Sequence, residues 1–122
     1  MKRKILIVED EVITAMALEN SLRKAGYEVI GPYSVGEGAL AVAAIQRPDL
    51  ALMDIRLLGL TSGISTALEL RQRYNIPSIF LTGQDTPQMR EAAALSKPLA
   101  YLLKPYTDQQ LHQTIADALA ML

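Results

Sequence analysis

There is no cysteine in the 122 residues. A disulfide framework, a thiolate zinc site and a cysteine nucleophile are therefore excluded. Histidine is nearly absent too. His112 is the only one, and it is expected at an exposed position of a helix beside Leu111, neither a phosphoacceptor nor a ligand. Long hydrophobic runs are missing: no stretch approaches the roughly 18 apolar residues of a membrane-spanning helix. The start, Met1-Lys2-Arg3-Lys4 followed by Ile5 to Val8, superficially resembles a signal peptide. Its apolar run is too short for one, and Glu9-Asp10-Glu11 ends it. Charge of one sign is also lacking. The formal net charge is −1, and no basic stripe appears outside Lys2-Arg3-Lys4, which disfavours nucleic-acid binding. Gly36-Glu37-Gly38 has no third glycine at dinucleotide-binding spacing, and neither a Walker loop nor a nucleophile elbow is present. The expectation is a cytoplasmic domain with no membrane contact.

What is present is an ordinary globular balance, 50% hydrophobic and 20% charged. A chain of this length suits one domain, residues 1–122, and can bury roughly two-thirds of its unfolded surface. No internal repeat, low-complexity segment or linker divides it.

Five short apolar runs read as strands: Ile5 to Val8, Glu28 to Ile30, Leu50 to Met53, Ser78 to Leu81 and Ala100 to Leu103. Most are continuous, as in strands covered on both faces. Helical spacing fills the intervals. Ala15, Leu18, Leu22 and Ala25 step by three and four, and Gly26 supplies a stop. Ser34 with Glu37 reads as a capping box for a second helix that closes before Pro48. Ser62-Gly63 opens a third, ending near Tyr74-Asn75. Thr86-Pro87 gives N-cap and first turn of a fourth. Thr107 with Gln110 caps a fifth, striped by Leu111, Ile115, Ala118, Leu119 and Leu122. Five βα units predict a doubly wound α/β fold of flavodoxin-like type, a parallel sheet of order 2-1-3-4-5 with helices on both faces. Pro32 closes the second run, which this order puts at an edge, where proline is tolerated.

In such sheets the functional crevice lies beyond the carboxyl ends of the strands. The first strand ends in Glu9-Asp10, the third in Asp54, the fourth in Thr82 and the fifth in Lys104. The proposed order brings these together. Acids without histidine or cysteine suit a hard divalent cation, and Mg²⁺ takes one or two carboxylates plus waters and phosphate oxygens. A carboxylate, Mg²⁺, an ammonium and a hydroxyl around one small space describe phosphoryl transfer to an aspartate.

Four segments, Ile5 to Glu11, Pro48-Asp49-Leu50 through Asp54, Phe80-Leu81-Thr82-Gly83 and Tyr101-Leu102-Leu103-Lys104-Pro105, follow in order, each at a strand end. With them the chain resembles, over essentially its whole length, a response-regulator receiver domain of two-component signalling. The resemblance implies a phosphorylation-dependent switch, not a turnover enzyme. Asp54 would accept a phosphoryl group from a sensor histidine kinase or a histidine phosphotransfer protein. Glu9, Asp10, Asp54 and the main-chain carbonyl of Arg56 would hold Mg²⁺. Thr82 and Lys104 would bind the phosphoryl group, Tyr101 would be the aromatic switch, and the Lys104-Pro105 bond would be cis. A homodimer through the face of helix 4, strand 5 and helix 5 is a further expectation, although the acidic-basic ladder of DNA-binding regulators is lacking there. Two departures stand out. Leu58 occupies a position usually held by proline, and the run from Asp54 to Gly63 is one residue longer than the commonest form. The longer loop from Leu57 to Ser62 would hold Arg56 over the site. The alternative is a small Mg²⁺-dependent aspartyl-phosphate phosphohydrolase. It is disfavoured because Arg56 stands where such enzymes carry an acid/base carboxylate, and because no substrate cap fits in the chain.

Overall fold

A computed structural model describes residues 2–56 and 62–122. The element order is β1 (Lys4–Val8), α1 (Val12–Lys24), β2 (Glu28–Tyr33), α2 (Gly36–Gln46), β3 (Leu50–Asp54), α3 (Gly63–Tyr74), β4 (Ser78–Thr82), α4 (Pro87–Ala94), β5 (Ala100–Leu103) and α5 (Asp108–Ala120). The strands are parallel, in the order β2-β1-β3-β4-β5. This is the doubly wound architecture expected from the alternation of apolar runs and helical spacing.

The continuous strands are explained by two cores, one on each face of the sheet. Side chains alternate along a strand. Ile5 and Ile7 of β1, Leu50 and Leu52 of β3, Ile79 and Leu81 of β4 and Leu102 of β5 therefore pack on one side with Leu18 and Leu22 of α1 and Leu111 and Ile115 of α5. Leu6, Val8, Ala51, Met53 and Phe80 pack on the other with Ala39 and Val42 of α2, Leu70 of α3 and Ala93 of α4. Each fully buried Leu, Ile or Phe contributes about 1.5–3 kcal/mol relative to exposure.

Three helix starts form as expected. The Ser62 hydroxyl accepts from the Ser65 N–H, and the Thr86 hydroxyl accepts from the Met89 N–H ahead of Pro87. Thr107 and Gln110 form a reciprocal capping box. Gly26 follows the end of α1 with φ 95°, the left-handed conformation that glycine adopts without strain.

Several local expectations are corrected. The capping box at Ser34 and Glu37 does not form, because β2 runs on to Tyr33 and α2 starts one residue late, with Val35 as an N-cap that has no side-chain acceptor. Pro32 does not close β2. The strand passes through it by a register shift at the sheet edge, where Leu6 pairs with Ile30 but Val8 pairs with Tyr33. Ala25 lies beyond α1 and is exposed, and Leu122 lies beyond α5 and is 54% exposed, so neither extends its helix's buried stripe. Leu58, and the loop expected to hold Arg56, lie outside the described residues.

One glycine is required by space alone. The Gly63 N–H donates to the Ile55 carbonyl (2.9 Å), which sets the start of α3 against the end of β3. A Cβ at Gly63 would fall 1.9 Å from the Asp54 carbonyl oxygen and 2.9 Å from the Ile55 Cα. Both are backbone atoms and cannot swing aside. Gly63→Ala is expected to lose at least about 3 kcal/mol of stability in urea unfolding. A variant that unfolds at the wild-type midpoint would refute this close approach.

Candidate functional site

The strand ends enclose a cleft of about 430 Å³. Its acidic wall comes from β1 and β3. Glu9 and Asp54 are both buried, 2% and 7% exposed, and Asp10 is half-buried. The Glu9 N–H donates to the Tyr33 carbonyl of β2 (2.9 Å), which fixes the chain as it leaves β1. Carboxylate oxygens of Glu9, Asp10 and Asp54 lie within 4.8 Å of one another. Glu11 also lines the cleft but is not part of this trio. It is the N-cap residue of α1, and its carboxylate accepts from the Thr14 hydroxyl.

Residues 5, 7 and 9, residues 50, 52 and 54 and residues 102 and 104 share one face of the sheet by alternation. This puts Lys104 on the same side as the two buried acids. Its Nζ lies 2.8 Å from Glu9 Oε1 and 3.6 Å from Asp54 Oδ2. The Lys104-Pro105 bond that follows is cis, as the resemblance implied.

The electrostatics of the trio is uneven. Burial pushes the Asp54 carboxyl up, and the adjacent Glu9 carboxylate pushes it further, to about 7; Lys104 and the Arg56 N–H (3.2 Å from Oδ1) pull the other way but lose. Glu9 goes in the opposite direction. Burial would raise it, but hydrogen bonds from Asp54 and Lys104 hold it below the usual carboxylate range. For Lys104, burial is outweighed by the hydrogen bond to Glu9 and the charges of Asp54 and Glu9, so its pKa rises. Without metal, the pair of carboxyls thus shares one proton near neutrality, held mainly on Asp54.

The opposite rim is formed by the end of β4 and the loop after it. Thr82 is buried, but its hydroxyl is engaged locally: it donates to the Gln84 carbonyl (2.6 Å) and accepts from the Gln84 N–H (3.1 Å). The Gln84 side chain reaches back across the cleft, accepting a hydrogen bond from Arg56 Nη2 at 2.8 Å. Arg56 therefore spans from β3 to β4, although its side chain is exposed. Tyr101 lies outside the cleft lining. Its half-buried ring stacks on Phe80 (centroids 5.8 Å apart, 26° between planes) and lies under the guanidinium of Arg90, 3.9 Å from the centroid.

Glu9, Asp10, Asp54, Thr82 and Lys104, each named from a strand end, and Arg56, named from the resemblance, thus come to one cleft. Gln84 was not anticipated. A glutamine in a loop carries no local pattern, and only its distance from Arg56 and Thr82 reveals its place. His112 is corrected. It is half-buried rather than exposed, with Nε2 2.8 Å from the Ser21 hydroxyl of α1, and it is not in the cleft. Among the described residues no helix is long and apolar enough to cross a membrane.

A family model described as the response regulator receiver domain matches residues 5–116. The chain is 33% identical over 118 residues to the transcriptional regulatory protein PdtaR of Mycobacterium tuberculosis, covering 97% of this chain and 57% of that protein. It therefore spans little more than half the length of that curated relative. A signal receiver domain of a modulated diguanylate cyclase from Desulfovibrio desulfuricans superposes with a TM-score of 0.92 at 36% identity, covering 99% of this chain and 96% of that one. The receiver domain of a sensor histidine kinase from Pseudomonas aeruginosa, solved with a magnesium ion coordinated in its active-site cleft, gives a TM-score of 0.86 at 32% identity, covering 98% and 99%.

The raised Asp54 pKa has a consequence for stability. The folded protein binds this proton more tightly than the unfolded chain. The stabilisation is therefore complete in acid and is lost as pH rises through about 7. Asp54→Asn removes the loss. With chelator present, the variant should be more stable than wild type at pH 8 by on the order of 1–2 kcal/mol, with a smaller gap at pH 5. Urea unfolding at the two pH values checks this, and an equal gap at both would mean that Asp54 does not carry the proton.

Proposed function

The chain belongs to the response regulator receiver domain family, and on that premise we propose that residues 1–122 form a phosphorylation-dependent switch that takes a phosphoryl group on Asp54. The observation that carries this reading is the meeting of three carboxylates within 4.8 Å, beside a lysine that touches two of them. The donor would be a phosphohistidine of a sensor kinase or phosphotransfer protein in the cytoplasm.

The all-oxygen donor set of Glu9, Asp10 and Asp54, with the Arg56 carbonyl as a further donor, fits Mg²⁺. Bound there, Mg²⁺ would neutralise charge on the transferred phosphoryl oxygens. Everything else falls to the chain's own groups. Asp54 must give up its proton before an oxygen can attack phosphorus. The P–N bond to histidine then breaks as the P–O bond forms, and the freed imidazole takes up a proton. Lys104, already 3.6 Å from Asp54, supplies a cation for the new phosphoryl oxygens. Thr82 has to exchange its bonds to Gln84 for one to the phosphoryl group, and Tyr101, on the same face of the sheet as Thr82, responds to that movement. The phosphoryl group shifts the equilibrium only so far as it binds the second state better than the first.

Acetyl phosphate with Mg²⁺, or fluoroberyllate as a stable mimic, tests the reading. Wild type should gain a hydroxylamine-labile phosphoryl group and Asp54→Asn none. Mg²⁺ affinity should fall as pH drops below about 7, because metal must displace the Asp54 proton. Labelling that persists in the variant would move the acceptor elsewhere.

Arg56 is proposed to set the lifetime of the phosphorylated form. Water must attack phosphorus from the side opposite Asp54. The bridge from Arg56 to Gln84 lies across the cleft, and a guanidinium is flat and suited to phosphoryl oxygens. Arg56→Ala should lose phosphate about two- to tenfold faster under saturating Mg²⁺, equivalent to roughly 0.4–1.4 kcal/mol in the barrier. Slower loss would instead make Arg56 a stabiliser of the transition state.

A further inference from the structure

We propose that Arg90 and Asp85 form a clamp that holds the Tyr101 ring in its resting position and so sets how readily the switch turns. The inference rests on the phosphoryl-switch reading above. It concerns residues outside the cleft that the sequence did not single out for any role.

The clamp is built on the first turns of α4. Thr86 is the N-cap, its hydroxyl accepting from the Met89 N–H at 3.2 Å, and Pro87 occupies the first turn. The Arg90 N–H closes the turn on the Thr86 carbonyl (3.0 Å). Asp85, just before the cap, and Arg90, one turn in, are thereby fixed relative to each other. Their side chains meet in a fork: Arg90 Nε lies 2.6 Å from Asp85 Oδ1, and Nη2 lies 3.0 Å from Oδ2. Two parallel bonds fix the plane of the guanidinium as well as its position. That plane is then held over the Tyr101 ring, 3.9 Å from its centroid, well within the roughly 6 Å reach of a cation–π contact. Phe80, opposite Tyr101 in the sheet register, supplies the other contact to the ring.

This arrangement is specific to one position of the ring. Rotation of Tyr101 about its first side-chain bond would carry the ring out from under a guanidinium that Asp85 keeps in place. The clamp is also coupled to the cleft by the shortest possible route. Asp85 follows Gln84, whose carbonyl and N–H hold the Thr82 hydroxyl. A shift of Thr82 toward Asp54 breaks those two bonds and frees the backbone next to Asp85. The clamp and the hydroxyl therefore share one short loop, and release of the second loosens the first. Both charged side chains are partly exposed, 47% and 34%, so each contact is weak. A weak clamp suits the task, because it biases a population without locking it.

Two variants test the clamp. Arg90→Met keeps the aliphatic stem and removes the cation, whereas Asp85→Asn keeps the arginine and removes its anchor. Tyr101 ring resonances are recorded without phosphodonor and then through a fluoroberyllate titration with Mg²⁺. Both variants should show a displaced, more mobile Tyr101 ring at rest. Both should reach the half-shifted state at about two- to fivefold lower fluoroberyllate. Tyr101 signals identical to wild type in both variants would overturn the proposal. So would a changed resting ring with an unchanged titration midpoint, since the contact would then not influence switching. A wild type that ignores fluoroberyllate would instead sink the phosphoacceptor reading, and the resting Tyr101 signals would still decide whether the clamp exists.

Discussion

Two carboxylates, Glu9 and Asp54, are buried side by side at the ends of neighbouring strands, and one ammonium, Lys104, keeps them there. Separately, each acid would be expensive to bury, and together they repel. The lysine meets Glu9 at hydrogen-bond distance and Asp54 at longer range, and the pair resolves the remaining conflict by holding a proton on Asp54. The ends of β1, β3 and β5 are locked to one another by this triad. One cation and one proton offset two carboxylates, with Asp10 close by as a third acid; in the switch proposed above, a second cation would take the place of that proton.

The outer rim is built differently. Arg56 is joined to Gln84 by one hydrogen bond, Gln84 to Thr82 by two through its backbone, and Arg90 to Asp85 by a partly exposed fork. The contacts of Arg56, Asp85 and Arg90 face solvent and are individually weak. In the inner triad, removing Lys104 would leave the buried Glu9 carboxylate without its cation, a loss of the class that costs about 3–5 kcal/mol. In the proposed switch, a phosphoryl group with about two negative charges and three acceptor oxygens would compete with the rim contacts one at a time. The triad and the two packed cores beneath it hold the strand ends in place, so that in the proposed switch only the rim would rearrange.

Much of this was legible in the chain. Strands buried on both faces give continuous apolar runs, so Glu9, Asp54, Thr82 and Lys104 could be named as the residues at or just beyond their ends. The caps at Ser62, Thr86 and Thr107 are local chemistry and formed as written. Reading failed where an edge strand behaved unlike a central one. Pro32 looked like a stop, but it falls in the register shift between the Leu6–Ile30 and Val8–Tyr33 pairs, and the strand went on to Tyr33. That extra length displaced the start of α2 and left Ser34 outside the helix.

Apolar runs, helical spacing and cap residues by themselves determined the five βα units and the donor groups at the strand ends, because these follow from local periodicity and local hydrogen bonding, and the sheet order followed from the flavodoxin-like type that five such units fit. Only the tertiary structure decided which carboxyl keeps the proton, where the Thr82 hydroxyl turns, that Arg56 reaches Gln84, and that Arg90 covers Tyr101. Those outcomes depend on burial and on separations of a few ångströms between side chains far apart in sequence, such as Arg56 and Gln84 or Glu9 and Lys104, and no local pattern encodes a distance between two elements.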